Sequence, residues 1–207
     1  MRRHPVAPYV LVAALHACVV EPELLNSERI EAEFGSFGIE ILSYRNNVRR
    51  SSLYSKHDGV AIGRTYAVVQ FAVPAVVAVA DEHEKVLDGA SLGATFKAAG
   101  YTILKQTYYI GSVVPGRDPH DIAALMQLDA ALPLAMHVYK LVLKKQQQVI
   151  EYATIIEVHH PEYMSADRLY ELYAPEPPPD VGDDAIRSWR ALVGGAAQAI
   201  EAGFRSD

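Results

Sequence analysis

Cysteine is almost absent: Cys18 stands alone among 207 residues. One thiol excludes an intramolecular disulfide framework and any metal site built from several cysteines, and it fits a reducing, cytoplasmic setting. No stretch reaches the roughly 18 apolar residues that a membrane-crossing helix needs. Positive charge is not in surplus either. The net charge of −6 argues against a protein that holds nucleic acid through a broad basic surface. The HExxH and phosphate-loop patterns are also missing, so the sequence offers no ground for a zinc protease or a phosphate cradle. What is present is ordinary globular composition, 50% hydrophobic and 21% charged, enough for one sizeable core with an appendage.

The first residues, MRRHPVAPYVLVAALHAC, pair two arginines with a short apolar run before Cys18, a faint likeness to a lipoprotein signal. Pro8 breaks the run, His16 is foreign to it, and apolar residues continue through Val19 and Val20. A structural first segment is therefore the expectation.

Local signals order the rest of the chain. Ser27 is expected to cap a helix over Glu28–Phe34 that Gly35 stops. Strands are expected over Gly38–Tyr44, Arg49–Lys56 and Ile62–Val73, the last two joined at His57-Asp58-Gly59 and the last ending at Pro74. His83 lies in the charge run DEHEK, read as a solvated loop. Ser91 is expected to cap a helix over Leu92–Ala99, followed by a strand over Tyr101–Val113 and a helix around Asp121–Leu128. A second hairpin is expected from His137–Lys144 and Val149–His160. Residues 1–173 read as one domain and 174–182, containing APEPPPD, as a stiff spacer. Residues 183–207 hold a terminal helix with Ile186, Trp189, Leu192, Val193, Ala196 and Ile200 at helical spacing. That helix is expected to pack on the domain or to join two copies as a homodimer.

Two return strands repeat each other. RTYAVVQFAVP (64–74) and EYATIIEVHHP (151–161) match in length to the proline, in alternation and in apolar placement. Arg64 aligns with Glu151 and Gln70 with Glu157. Strand periodicity puts Arg64 and Gln70 on one face, and Glu151 and Glu157 on one face. Arg49 joins Arg64 if the hairpin has no bulge. Taken alone, periodicity favours a solvated face, since antiparallel sheets commonly expose one side. The neighbours His159 and His160 point to opposite faces of a strand and are poorly placed to chelate one ion.

Several short elements, in order, resemble the chorismate pyruvate-lyase family and its relatives, the UTRA effector-binding domains. LLNSERIEAEF resembles the family's first helix. Arg49, the Asp58-Gly59 turn and Gly63-Arg64-Thr65 resemble its arginine-bearing hairpin. Ser91-Leu92-Gly93 resembles its Pro-Leu-Gly helix start, and Val149-Ile150-Glu151-Tyr152 running to Pro161 its last hairpin. The likeness covers about residues 18–170. It implies an α+β fold, an antiparallel sheet with helices and helical flaps enclosing a buried ligand cavity. It also implies two arginines and a glutamate in that cavity, at Arg49, Arg64 and Glu151, with Asn26 and Leu92 presenting backbone amides to a ligand carboxylate. Glu157 is the alternative acid if the strand register is shifted.

The residue types suit the chemistry. A guanidinium binds a carboxylate with two parallel hydrogen bonds and keeps its charge. Eliminating pyruvate from chorismate makes an aromatic ring, so orientation and one proton-handling group suffice, and no cofactor is required. The two expectations are a lyase giving a hydroxybenzoate and a UTRA-like protein that only binds a small carboxylated ring compound. No helix-turn-helix precedes the domain, which speaks against a DNA-bound regulator.

Overall fold

The computed structural model describes residues 24–116, 120–129, 132–174 and 180–194. The N-terminal segment with Cys18, most of the proline-rich spacer and residues 195–207, with Ala196 and Ile200 of the expected terminal helix, lie outside them. Strands β1 (Gly38–Arg45), β2 (Val48–His57), β3 (Val60–Phe71), β4 (Thr102–Val113), β5 (Leu134–Lys145) and β6 (Gln148–His159) form one antiparallel sheet in the order β1-β2-β3-β6-β5-β4. The two hairpins therefore meet at the centre, β3 against β6. Tight turns make this order possible. Asn46 and Asn47 both take positive φ between β1 and β2, as do Asp58 and Gly59 between β2 and β3, the left-handed pair of a two-residue hairpin loop.

Both faces of the sheet are apolar and both are covered, which makes this an α+β fold. On one face lie α1 (Asn26–Phe34), α2 (Val73–Ala78), α3 (Ala80–Leu87), α4 (Leu92–Ala98) and α6 (Ala166–Tyr173). They bury Ile30, Ala75, Val86, Phe96 and Leu169 against Phe71, Leu141, Tyr152 and Ile155 among others. On the other face, α5 (Ile122–Leu125) and α7 (Asp183–Leu192) cover Val68, Met136, Val138, Ile156 and Val158. Trp189 of α7 stacks on Tyr108 of β4, rings 6.0 Å apart and 9° from parallel. The terminal helix thus lays its apolar stripe on its own sheet. No helix among the described residues is long and apolar enough to cross a membrane.

Three local expectations need correction, and one helix lies where none was expected. Ser27 is not the cap of α1: the helix starts two residues earlier on Leu25, whose N–H donates to the Glu28 carboxylate at 2.9 Å. Pro74 does not end a strand but sits in the first turn of α2, where its missing N–H costs nothing. The DEHEK run is helix α3 and not a loop, with His83 buried and bonded to the Tyr152 hydroxyl at 2.6 Å. Helix α6, capped by Ser165 accepting from Arg168 N–H, was not foreseen.

Two β-bulges decide which side chains face inward. In β3 the register steps from Leu53↔Thr65 to Tyr54↔Gly63, leaving Arg64 as the extra residue. In β6 it steps from Leu141↔Ala153 to Val142↔Glu151, leaving Tyr152 extra. An inserted residue reverses the in/out alternation on either side of it. Ile150, Tyr152, Ala153 and Ile155 consequently all enter one core cluster, and Glu151 and Glu157 end on opposite faces. The expectation that they share a face is overturned by that single residue. Arg64 likewise leaves the face of exposed Gln70 and turns toward α1.

Candidate functional site

The inner face of the sheet reads as rows of paired residues. One row runs Arg49–Val69–Ile155–Tyr139, the next Ser51–Ala67–Glu157–His137, and the third Leu53–Thr65–His159–Ala135. Above the first two rows is a cavity of about 70 Å³. Its floor includes Arg49, Val69, Ile155, Tyr139, Ala67 and Glu157, with Lys105 from β4 at the side. Its roof is the junction of two helix starts, Leu25, Asn26 and Ser27 of α1 with Ser91, Leu92 and Gly93 of α4. These starts are tied by Ser91 Oγ donating to Ser27 Oγ at 3.3 Å and by Lys97 paired with Glu28 at 2.7 Å. Gly93 lies close under Leu25, where an added Cβ would come within 2.8 Å of Leu25 Cδ2 and push that side-chain tip aside. A wider outer space of about 250 Å³ continues from Leu25, Ile103 and Lys105 to Lys97, Tyr101 and Thr102.

Arg49 is 3% exposed. Its Nη1 donates to the Val86 carbonyl at 2.8 Å, while Nε is buried with no partner among the described residues. No described carboxylate pairs with it. Burial pulls its guanidinium below the usual value, yet an arginine remains charged in any protein setting. A buried, uncompensated cation in a cavity wall is costly alone and favourable once an anion arrives. The cavity therefore has an anion-seeking end.

Glu157, two residues along and two strands across, forms the other end. Ideal sheet spacing puts the two Cα atoms about 12 Å apart. Glu157 is 6% exposed, and Asn26 Nδ2 donates to its Oε1 at 3.0 Å. Desolvation raises its pKa, opposed by the Lys105 charge, by hydrogen bonds from Asn26 and Tyr139 and by the Arg29 charge. Burial thus favours the proton-holding form, which is the state of a general acid. His159, bonded to Thr65 Oγ1 at 3.0 Å, is pushed down to about 3 by burial and by the Lys105 and Arg29 charges, and is neutral.

The sequence-derived set separates in space. Asn26, Arg49, Leu92 and Glu157 all line the cavity. Arg64 does not line it. Buried beyond the third row, its Nε donates to Ser55 Oγ and its Nη1 pairs with Glu162, each at 2.9 Å, with the guanidinium 3.9 Å above the Phe34 ring. Glu151 lies on the opposite face, its side chain 65% exposed and paired with Lys140 at 2.7 Å. Lys105, Tyr139, Thr65 and His159 were not singled out for this site. Glu157 and His159 show their shared face in the alternation, but Thr65 joins them only through the β3–β6 register.

No protein-family model matches the chain, and no curated protein matches it.

Proposed function

We propose that the protein binds a small carboxylated ring compound between Arg49 and Glu157 and eliminates pyruvate from chorismate or a related carboxylated cyclohexadiene. The observation that carries this reading is the pairing, in one cavity, of a buried arginine lacking a carboxylate partner among the described residues with a buried glutamate whose pKa burial raises. The arginine receives the ring carboxylate, assisted by the starts of α1 and α4 at Asn26 and Leu92. Glu157 donates its proton to the enolpyruvyl fragment as the ether C–O bond breaks. It then takes back the proton lost from the adjacent ring carbon, so the ring becomes aromatic and the acid is restored. The two products together contain all the atoms of chorismate, and neither water nor a redox partner enters. Glu157 replaces Glu151 in this role, and Arg64 is assigned to the fold. The setting is read as cytoplasmic.

A second reading, a UTRA-like binding protein without catalysis, is favoured by one feature. A single arginine and about 70 Å³ suit a monocarboxylate such as a hydroxybenzoate better than a dicarboxylate. The test is incubation of the purified protein with chorismate, following pyruvate and hydroxybenzoate by mass spectrometry, with Glu157→Gln, Arg49→Met and Glu151→Gln alongside. Turnover reduced by about 10²-fold or more in the first two variants and kept in Glu151→Gln supports the lyase. Absence of turnover, with hydroxybenzoate raising the melting temperature only when Arg49 is present, selects the binding protein.

A further inference from the structure

The hydrogen positions around Glu157 follow one from another. Tyr163 is buried, burial raises its phenol, and its O–H donates to Asn26 Oδ1. Nδ2 is therefore the amide's donor, and it reaches Glu157 Oε1 at 3.0 Å and Thr65 Oγ1 at 3.3 Å. Thr65 Oγ1, which accepts from Asn26, lies 3.0 Å from His159 Nδ1, a bond the hydroxyl can make with its one proton or with its second lone pair. When the hydroxyl supplies the proton of this bond, the imidazole carries its own on Nε2. That nitrogen is buried, has no hydrogen-bond partner among the described residues and lies 3.9 Å from Glu157 Oε2, about 1 Å beyond hydrogen-bond length. Backbone pairing enforces the arrangement, since Thr65 is the direct partner of His159 and Glu157 precedes His159 by two on the same face.

We propose that His159 is a positioning residue for Glu157, locked by Thr65 and Asn26 as its Nε2–H tautomer so that this N–H is the donor aimed at Oε2. The inference rests on the reading of Glu157 as the cavity's acid. Asn26 addresses one carboxyl oxygen and His159 the other, which fixes the plane of the carboxyl group and favours its ionised form against desolvation. The other groups facing Glu157 are Lys105 of β4, Tyr139 and His137 of β5, Arg29 of α1 and Tyr163. None of them reports on the His159 tautomer.

The experiment uses the full chain without ligand. Two-bond proton–nitrogen correlation on ¹⁵N-histidine protein reads the tautomer, and ¹³C-carboxyl titration reads Glu157. Wild type is expected to show His159 as Nε2–H, and Thr65→Val to lose that preference. The Glu157 midpoint is expected to rise by about one pH unit in His159→Phe and to return most of the way in His159→Gln, whose amide keeps a donor near the Nε2 position. An Nδ1–H tautomer in wild type, an unaltered tautomer in Thr65→Val, or equal Glu157 midpoints in wild type and His159→Phe would each overturn the proposal, as would a Gln variant that behaves like Phe. If His159→Phe does not fold, the two tautomer measurements still decide. Turnover enters none of these readings. A protein with the expected tautomer but no action on chorismate breaks the functional reading alone.

Discussion

The β2–β3 and β5–β6 hairpins look like two copies of one unit, yet they deliver opposite results at matching positions. Arg64 and Glu151 align along the repeat, but Arg64 is buried against α1 while Glu151 stands in solvent on the other face. The difference is the place of one extra residue. In the first hairpin the bulge falls on Arg64 itself; in the second it falls one position later, on Tyr152. A bulge thus acts as a switch of facing that conserves length and hydrophobic pattern and hides from any reading of alternation. The inner face gains Tyr152 in one hairpin and Arg64 in the other, and the acid that reaches the cavity is Glu157, on the far side of the step.

Acid should break the comparison most strongly, because only the second hairpin carries buried neutral imidazoles. His159 is depressed to about 3 and His137 to about 2, both chiefly by burial. Groups with lowered folded-state pKa contribute stability that is complete above the unfolded value near 6.5 and lost as pH falls through the folded values. Stability measured by urea titration is therefore expected to drop steeply from about pH 6.5 toward 3, and less steeply in His159→Gln. An unchanged slope in that variant would remove His159 from the account.

Next in size is Tyr152→Ala. The bulge residue is fully buried, packs edge-on to Phe71 and Phe96 and bonds His83. Its truncation should cost about 3–5 kcal/mol of unfolding free energy, as for other large aromatic deletions. Arg64→Ala should cost about 1–3 kcal/mol through the lost Ser55 bond and Phe34 contact, while leaving ligand affinity at the cavity within about twofold of wild type. A collapse of affinity with intact stability would return Arg64 to the site. Smallest is Glu151→Gln: its exposed pair with Lys140 should be worth less than about 0.5 kcal/mol, and a larger loss in a chemical melt would mean the residue is not the surface group described.

What the sequence disclosed and what it hid divide along physical lines. The strands, their pairing into hairpins and the helix start at Leu92 follow from alternation, turn residues and caps, all of them local signals, whereas the start of α1 on Leu25 was masked by Ser27 two residues on. The bulges carry no such mark, since neither Arg64 nor Tyr152 is a glycine or a turn former. Arg49 and Glu157 reach the cavity because no bulge separates them from its floor. Helix α3 was concealed by its charges, although Val79, His83 and Val86 already stand at helical spacing and are the buried side of that segment. Thr65 and His159 could not be joined before register was known, being distant in sequence and opposite in space.

Trp189 is the chain's single tryptophan, and it stacks on Tyr108 across the sheet from the cavity. Its emission is an optical label for the back layer alone. Signal that moves when a carboxylate occupies the front would have to be relayed through the six strands, whereas silence, with the melt shifting upward, would show a front that responds while the back stays still.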